Sequence, residues 1–513
     1  MSEFVFCIIY LLLSNFFSYH FICTLQLNGY KISKIFDFNN KKYIKFLVYN
    51  LLLSLAFLFI NLYICEFKNY YIFILNSIYL AIFIILLLKN KNNFTKTPLR
   101  FTNRIIRFYV LLQLVNIIII TLFIIYIKKF INILFPMFSL VNFINVIFTY
   151  FITLPFEKLN NYRYINLAKH KFNNNNIIKI AITGSYGKTS VKCILGHILS
   201  YKYNTYYAKN NYNTELGLSI LSNQITEDTD IFIAEFGAKH KNDIKKLVKI
   251  FNPDVAVITG ICNQHLESFK NIDNIVKTKS EILLNKPIAY FNGNNNYVKN
   301  MYNNYDGNKY ITFDKNNYID NVKLTCEGTY FTIHLDGKYR KCYTKLLGNS
   351  CLENILLSSV VAYNLGVNID IIAKSIIDLP FIEHRLSVKT SRFTIIDDSY
   401  NSNETGVNEA LFVLNLFDKT KYVFASGLIE LGSDKKQVNI NLGKNIANIA
   451  NYVILINQQQ TKYIIQGLNE KNFNKNNIYI YNSTNDAIKD FDNIILDNSV
   501  LLLMSDLPSN YNV

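Results

Sequence analysis

The segment from Ile177 to Tyr201 constrains the fold of this 513-residue chain more than any other feature. Its first part, Ile177–Thr183, is an apolar run that predicts a buried strand, and its last part, Val191–Tyr201, predicts a helix. Between them, Gly184 and Gly187 bracket a tight turn. Such a turn lets backbone amides converge on phosphate at the amino end of a helix. The segment therefore predicts a phosphate-binding loop at the edge of a sheet.

Lys188 and Thr189 close this loop and give it its chemistry. The ammonium group of Lys188 can reach the terminal phosphates of a nucleotide, and the hydroxyl of Thr189 can ligate Mg²⁺. The spacing departs from the usual G-x-x-x-x-G-K-[ST] pattern, because Ile182 stands where the first glycine is expected. We therefore expect a variant phosphate loop. Its nucleotide-binding residues are Gly184, Ser185, Tyr186, Gly187, Lys188, Thr189 and Ser190.

From Ile177 onward, short apolar runs alternate with helical stretches. The runs Asp230–Gly237 and Pro253–Gly260 predict further buried strands, and Asp243–Phe251 predicts a helix between them. This alternation predicts an α/β fold, in which helices cover both faces of a parallel sheet. Ligands on such sheets gather beyond the carboxyl ends of the strands.

A second block of the same kind begins near Arg385. Its apolar runs, from "FTIIDDSYN" to "SVLLLMSD", predict the strands of a separate and smaller domain. We therefore expect a phosphate-loop ATPase domain with a parallel sheet over residues 161–384. A Rossmann-like C-terminal domain is expected over residues 385–513.

The first 156 residues differ in composition from the remainder of the chain. Hydrophobic residues make up 50% of the sequence, and here they form five long runs. Each run is close to the ~20 residues that cross a bilayer core of about 30 Å. The sequence therefore predicts an α-helical transmembrane bundle over residues 1–160. The five runs are Phe4–Leu27, Phe46–Cys65, Tyr71–Leu88, Phe108–Ile127 and Phe130–Phe156.

Basic residues in the loops between these runs predict an orientation. They concentrate in the first and third loops and again after the last run, which indicates that the remainder of the chain is cytoplasmic. We therefore expect an integral membrane protein in which the remainder of the chain lies in the cytoplasm. A large share of the formal net charge of +17 lies in these loops. That placement favours contact with anionic membrane lipid and disfavours nucleic-acid binding.

Seven further motifs follow the phosphate loop, and their order resembles that of the Mur ligases, the ATP-dependent amide ligases of peptidoglycan synthesis. The loop variant "TGSYGKTS" is also similar to that of folylpolyglutamate synthetases. Two of the motifs, "NTELG" and "DDSYN", look most like the branch that adds D-alanyl-D-alanine to a UDP-muramoyl tripeptide. The motifs are "NNYNTELG" (Asn210–Gly217), "AEFGA" (Ala234–Ala238), "NQHLESF" (Asn263–Phe269), "KTKSEI" (Lys277–Ile282), "LENILLS" (Leu352–Ser358), "EHRL" (Glu383–Leu386) and "IDDSYNSN" (Ile396–Asn403).

The resemblance implies a reaction that makes a C–N bond. ATP would phosphorylate a carboxylate, and an amine would then displace phosphate from the acyl phosphate. ATP and Mg²⁺ are the implied cofactors, because divalent cations offset the repulsion between the two anions. The implied substrates are a small-molecule cell-wall precursor and the D-Ala-D-Ala dipeptide. The resemblance also implies that the membrane is the bacterial cytoplasmic membrane, with the catalytic domains in the cytoplasm. Membrane-bound enzymes of cell-wall synthesis are expected partners.

The resemblance also assigns residues to the metal and to catalysis. Glu235, at the end of a strand, is expected to hold Mg²⁺ together with Thr189. His265 is implied as a second metal ligand, although a lone histidine is more often a structural hydrogen-bonding residue. Lys279 is implied to be carbamylated, which would make it an anion that supports a second Mg²⁺. Lys188, Glu235, His265 and Lys279 form the expected catalytic set.

A third group of residues is expected at the other end of the nucleotide. The resemblance implies that Asn354 contacts adenine, and Arg385 can contact phosphate through its planar guanidinium. Asp398 is expected to accept from the ribose hydroxyls, with Tyr400 and Asn401 shaping the pocket. An ordinary turn after a strand is the alternative for these last three residues. Because Arg385 and Asp398 lie in the C-terminal block, we expect that block to close over ATP.

The acid substrate is the least constrained part of this interpretation. Asn211, Asn213, Thr214 and Glu215 are expected to line its site, but a polar loop leading into a helix capped by Thr214 explains them as well. The family's N-terminal domain, which grips the UDP group, is replaced here by apolar runs, and Glu404 stands where proline is usual. Alternatives are a membrane-bound ligase for another acid, of the poly-γ-glutamate or capsule type, and a catalytically inactive membrane scaffold.

Overall fold

A computed structural model describes most of the chain, and it divides the chain into two compact units. The first unit ends at Asn161 and the second begins at Tyr162. The described residues are 3–27, 29–30, 32, 41–64, 69–90, 99–127, 135–174, 176–208, 212–263, 266–400, 403–429, 431 and 434–504.

The first unit is helical, as its composition predicts. Asparagine side chains inside it bond to one another: Asn61 Nδ2 donates to Asn76 Oδ1 at 2.9 Å, and Asn145 Nδ2 donates to Asn116 Oδ1 at 3.0 Å. These bonds satisfy amides that apolar residues surround. The helices are α1 (Glu3–Leu27), α2 (Lys41–Ile64), α3 (Asn69–Asn90), α4 (Asn103–Ile127) and α5 (Phe138–Asn174).

The prediction for the last apolar run needs a correction. Residues 128–134 lie outside the described part of the chain, and a short 3₁₀ turn at Phe135–Met137 precedes α5. Helix α5 then continues through Pro155 into the second unit and ends at Asn174. Its last turns are held there because Ala168 and Phe172 are buried in that unit's core. Among the described helices, α2, α4 and α5 are long and apolar enough to cross a membrane, judged by length and composition.

The second unit contains a six-stranded sheet in which all strands are parallel. The strand order is β2-β3-β1-β4-β5-β6, so β1 lies in the middle. Ile182 of β1 pairs with Glu235 of β3, which places the carboxyl ends of these two strands at one edge. The strands are β1 (Ile178–Thr183), β2 (Thr205–Tyr207), β3 (Ile231–Glu235), β4 (Val255–Ile258), β5 (Ile288–Phe291) and β6 (Lys309–Ile311).

Helices cover both faces of this sheet, which confirms the predicted layering. On one face Ile194 and Ile355 are buried with β1, and on the other Phe232 and Phe251 are buried together. The described helices are α6 (Lys188–Leu199), α7 (Glu215–Ser222), α8 (Asp243–Phe251), α9 (Leu266–Phe269), α10 (Ile272–Ser280), α11 (Asn296–Asn304), α12 (Asn349–Asn364) and α13 (Ile369–Ile377).

A small antiparallel sheet follows the parallel one in sequence. Its strands are β7 (Asn317–Leu324), β8 (Thr329–Leu335) and β9 (Lys338–Thr344), with β8 in the middle. Alternate residues of β8, Phe331 and Ile333, are buried in the core that also contains α6 and α12. The small sheet therefore extends the core around the helices next to the phosphate loop.

A second six-stranded sheet forms the C-terminal part of the unit. Its order is β10-β11-β15-β12-β13-β14, and only β10 is antiparallel to its neighbour. The apolar runs from "FTIIDDSYN" to "SVLLLMSD" are confirmed as strands β11 to β15, and β10 is an addition that the sequence did not predict. The strands are β10 (Ser387–Thr390), β11 (Thr394–Asp398), β12 (Lys421–Ala425), β13 (Tyr452–Ile456), β14 (Ile478–Tyr481) and β15 (Val500–Met504). The described helices here are α14 (Glu404–Asn415), α15 (Lys435–Ala447), α16 (Gln458–Glu470) and α17 (Thr484–Ile494).

Candidate functional site

The phosphate loop lies between the end of β1 and the start of α6, as the sequence predicts. Gly187 precedes the helix with a φ of 77°, a conformation that favours glycine. A Cβ on Gly187 would lie 2.8 Å from Asn354 Oδ1, and a Cβ on Gly184 would lie 2.0 Å from Thr259 Oγ1. Both glycines are therefore needed for the close approach of the loop to its neighbours. Lys188 Nζ donates to the carbonyl oxygen of Gly184 at 2.9 Å.

Thr189 and Glu235 meet directly beneath the loop. Thr189 Oγ1 donates to Glu235 Oε2 at 3.0 Å, and Glu235 is 3% exposed. Lys192 Nζ lies 3.6 Å from the same carboxylate oxygen. Lys192 was not predicted from the sequence, but its position one helical turn after Lys188 was an available signal. A hydroxyl and a carboxylate at one point are oxygen ligands of the kind that Mg²⁺ prefers.

Thr189 and Glu235 suit a Mg²⁺ ion that is bound partly by the protein and partly by the phosphates of a substrate. Among the described residues, no group of three or more His, Cys, Asp or Glu side chains could hold a metal ion. Magnesium usually binds one or two carboxylates together with substrate phosphates. Thr189 and Glu235, next to a phosphate loop, provide that arrangement.

Two further lysines close to Glu235 have perturbed acidities. Burial lowers the pKa of Lys188, and the charge of Glu235 opposes this effect. Burial, and next the charge of Lys188, lower the pKa of Lys279 to about 7, again against the charge of Glu235. A lysine whose pKa lies near 7 is partly a neutral, nucleophilic amine at that pH. This state suits the predicted carbamylation of Lys279, which stays a prediction.

The lowered pKa of Lys279 predicts a dependence of stability on pH. The unfolded chain binds this proton up to about pH 10.5 and the folded chain only up to about pH 7. Stability therefore rises with pH across that window, because the unfolded state holds more protons there. In Lys279→Met, we expect the rise in free energy of unfolding between about pH 7 and 9.5 to shrink by at least about 1 kcal/mol. Urea unfolding at several pH values measures this free energy. The control is Lys277→Met, on the exposed face of α10, in which the free energy of unfolding should rise with pH as much as in the unaltered protein.

An open cavity of about 240 Å³ lies over the loop. Its lining residues come from both parts of the second unit, the part that contains the parallel sheet and the C-terminal part. Most of the predicted nucleotide and metal residues line it. These residues are Ser185, Tyr186, Gly187, Lys188, Thr189, Ser190, Glu235, Asn354, Arg385, Asp398 and Tyr400.

Arg385 and Asp398 enter the cavity from the C-terminal part of the unit. Arg385 lies between His384 and Leu386, whose φ values are 61° and 50°. Such conformations are costly for residues with a side chain and persist only where surrounding contacts hold them. Here the backbone N–H of Leu386 donates to Asp398 Oδ1 at 3.3 Å. The loop that carries Arg385 is thus held against the end of β11.

Tyr400 is positioned by a small polar cluster behind it. His384 Nδ1 lies 2.8 Å from Asp397 Oδ2 and 3.1 Å from Ser399 Oγ. The imidazole ring packs on the ring of Tyr400, with centroids 4.2 Å apart. Tyr400 itself is 54% exposed, so one side of its ring is available to a ligand.

Glu409 is a cavity residue that sequence analysis missed. Its carboxylate Oε1 accepts from the backbone N–H groups of Asn349 and Ser350, at the start of α12. Burial raises the pKa of Glu409. Because Glu409 lies on α14, this contact joins the C-terminal part of the unit to the helix that carries Asn354. No motif marks the position, since only the tertiary fold brings α14 to α12.

The residues predicted for the acid substrate are only partly brought together. Asn213 lines the cavity. Thr214 caps α7 by accepting from Gly217 N–H at 3.3 Å, which is the alternative considered from the sequence. Glu215 pairs with Lys246 at 3.4 Å, on the surface and outside the cavity lining. The other predicted residues that lie outside the described part of the chain are Asn211, His265 and Asn401.

Tyr186 in the loop rests on Gly260, which follows β4. A Cβ on Gly260 would lie 2.2 Å from the Tyr186 ring, and Asn295 Nδ2 donates to the Tyr186 hydroxyl at 3.2 Å.

Gly260→Ala is therefore expected to displace the loop and weaken nucleotide binding by about tenfold or more, since each 1.4 kcal/mol is a factor of ten. Calorimetric titration with ADP and Mg²⁺ measures it. Gly337→Ala is the control for a local backbone cost: a Cβ there has nothing within 4 Å, the φ of 79° disfavours alanine, and the turn lies outside the cavity lining, so the affinity is expected to stay the same.

Comparison with known proteins gives concordant matches. Residues 182–362 match the family model of the Mur ligase middle domain. The chain is 28% identical over 335 residues to a UDP-N-acetylmuramoyl-tripeptide–D-alanyl-D-alanine ligase of Buchnera aphidicola, covering 63% of this chain and 71% of that one. It is 28% identical to the Escherichia coli ligase of the same name over 275 residues, covering 52% of this chain and 61% of that one. The chain thus spans about three fifths of the E. coli relative.

A solved structure shares the fold. The crystal structure of the MurF ligase from Thermotoga maritima in complex with ADP matches 67% of this chain and 80% of its own, with a TM-score of 0.60 and 23% identity. The second unit therefore has a Mur ligase α/β fold built on parallel sheets.

The predicted location is corrected by these comparisons. We expected an integral protein of the bacterial cytoplasmic membrane, but the ligases to which the chain is similar are soluble cytoplasmic enzymes. The prediction was wrong because it rested on apolar helices, whose length and composition alone do not establish insertion. The expected contacts with membrane lipid and with membrane-bound cell-wall enzymes depended on that location, and no observation supports them.

Proposed function

We propose that this chain is an ATP-dependent ligase that joins D-alanyl-D-alanine to a UDP-N-acetylmuramoyl tripeptide. The observation that carries the proposal is the cavity, in which the phosphate loop, Glu235 and Asp398 line one space. The names of the curated relatives supply the substrates, and the match over residues 182–362 supplies the ligase class.

The loop side of the cavity would activate the acid. Backbone amides at the start of α6 and the ammonium of Lys188 neutralise the terminal phosphate of ATP, so that a substrate carboxylate can attack it. Lys188 leaves its bond to the Gly184 carbonyl to do so. Thr189 and Glu235 would hold Mg²⁺, which offsets the repulsion between carboxylate and phosphate. The attack gives an acyl phosphate and ADP.

The opposite side of the cavity would hold the rest of the nucleotide. We assign adenine contact to Asn354, phosphate contact to Arg385 and ribose contact to Asp398. Asp398 is 1% exposed and lies at the carboxyl end of β11, where ligands of parallel sheets gather. Tyr400 presents the open side of its ring to the same space. A nucleotide bound in this way would draw the C-terminal part of the unit onto the loop.

The acid and the amine would meet beside the loop. Asn213 is the described candidate for orienting the acid, because its side chain lies against Gly237, two residues after Glu235. An amine that enters there attacks the acyl carbon and releases phosphate. Lys279, together with His265 outside the described residues, is assigned to a second metal or to the orientation of the acyl phosphate.

The experiment offers the full chain ATP, Mg²⁺, a UDP-muramoyl tripeptide and D-Ala-D-Ala. We expect ADP release that needs both substrates, and a product whose mass equals that of the joined pentapeptide. Glutamate replaces the dipeptide in a parallel reaction, and a ligated product only there would reject the proposed amine in favour of a poly-γ-glutamate type of enzyme. Absence of ADP with every acid and amine would reject the ligase itself.

A further inference from the structure

We propose that Lys192 is a positioning residue, a resident counter-ion of Glu235 that makes divalent-cation binding depend on a bound nucleotide. The inference rests on the metal role of Glu235 in the proposed function. It concerns the free enzyme, before a nucleotide enters the cavity.

The geometry places three groups on one carboxylate oxygen. Lys192 Nζ lies 3.6 Å from Glu235 Oε2, and Thr189 Oγ1 donates to that same oxygen at 3.0 Å. Lys192 and Thr189 both project from α6, on which they are three residues apart. The helix that begins with the phosphate loop thus fixes the carboxylate from two positions.

Burial makes the counter-ion necessary. The side chain of Lys192 is 1% exposed and that of Glu235 is 4% exposed. An ionised carboxylate out of water is strongly unfavourable unless a charge or hydrogen bonds compensate it. Lys192 provides that compensation in the absence of metal and holds the carboxylate of Glu235 in place.

The two partners face different ways. Glu235 lines the cavity, whereas Lys192 does not and approaches the carboxylate from the protein side. Lys188 lines the cavity and is turned onto the loop carbonyl of Gly184. A nucleotide can therefore recruit Lys188 while Lys192 stays in place.

The charges around Glu235 then decide when a cation binds. Lys192 pairs with Glu235, Lys188 interacts with Glu235 electrostatically, and the charge of Arg385 acts at Lys188. A divalent cation that meets one carboxylate among these positive groups is repelled by them. The phosphates of a nucleotide reverse the balance, so Mg²⁺ enters with ATP and not before it.

The test measures binding of Mn²⁺ to the full chain without nucleotide, by electron paramagnetic resonance. We expect weak binding to the unaltered protein and binding about tenfold tighter or more in Lys192→Met, because a positive charge next to the ligand is removed. Lys192→Arg keeps the charge and is expected to bind Mn²⁺ as weakly as the unaltered protein. Adding Glu235→Gln to Lys192→Met should abolish the gain, which shows that Glu235 carries it.

The outcomes separate this role from a merely structural one. If Lys192 only stabilised the fold, a folded Lys192→Met protein would bind Mn²⁺ as weakly as the unaltered protein or more weakly. Either result overturns the proposal. Should Lys192→Met fail to fold, the unaltered protein still decides: Mn²⁺ affinity that ADP does not raise contradicts the inference. Because none of these measurements uses the cell-wall substrates, a failed ligation assay leaves the role of Lys192 standing and rejects only the substrates.

Discussion

Replacing Lys188 with alanine is expected to lower the rate of ligation by at least about a thousandfold. The variant removes the one lysine that both belongs to the phosphate loop and lines the cavity. The negative charge on the transferred phosphate would then no longer be stabilised by the ammonium group of Lys188. Product mass and ADP release under saturating substrates measure the effect. Lys249→Ala, which removes an exposed lysine of α8, should ligate at the unaltered rate.

A normal rate in Lys188→Ala would contradict the assignment of this loop. A loss of rate accompanied by loss of the folded state would leave the comparison with Lys249→Ala uninformative, so thermal unfolding of both variants belongs to the experiment. We expect their Tm values to agree within a few degrees, since Lys188 Nζ donates to the carbonyl oxygens of Gly184 and Ser185 in its own loop.

Phe232→Ala is expected to destabilise the second unit by about 3 to 5 kcal/mol. Phe232 is 1% exposed, and its ring packs against Phe172 and Phe251 at centroid distances of 5.1 and 6.2 Å. Removing it leaves a cavity behind β3, the strand that ends in Glu235. Urea unfolding followed by circular dichroism measures the change. Phe412→Ala, at a site that is 39% exposed, is the matched control and should cost less than about 1 kcal/mol.

Equal destabilisation by the two phenylalanine variants would mean that the helix-covered face of the sheet is not the core described here. A large effect of Phe232→Ala also predicts weaker nucleotide binding at temperatures where the variant is still folded. The reason is that β3 carries Glu235 and pairs with β1, which leads into the phosphate loop.

The elements around the loop could be predicted because their signals are local. Helix α8 has the bounds that the sequence predicts, and the three central strands lie within one or two residues of their predicted ends. Helix α6 begins at Lys188 and not at Val191, because Gly187 already directs the chain into the helix. Glycine spacing and apolar runs contain that information without any tertiary contact.

The site residues that the sequence did not predict depend on contacts between segments that are distant in the chain. Lys192 pairs with Glu235 only because α6 packs beside β3, and Glu409 reaches α12 only because the second sheet lies beside it. Thr214 shows the opposite case, in which a local explanation, the helix cap, describes the observed contact. The membrane location was predicted wrongly because the composition of an apolar helix shows that its surface must be buried, but not whether lipid or protein buries it.

The central claim is that a single cavity binds the whole nucleotide. A structure of the chain with a non-hydrolysable ATP analogue and Mg²⁺ tests it most directly. We predict the terminal phosphate between Lys188 and Glu235, with the ribose hydroxyls within hydrogen-bonding distance of Asp398. A nucleotide bound elsewhere, or one that contacts Lys188 while Asp398 faces no ligand, would contradict the account.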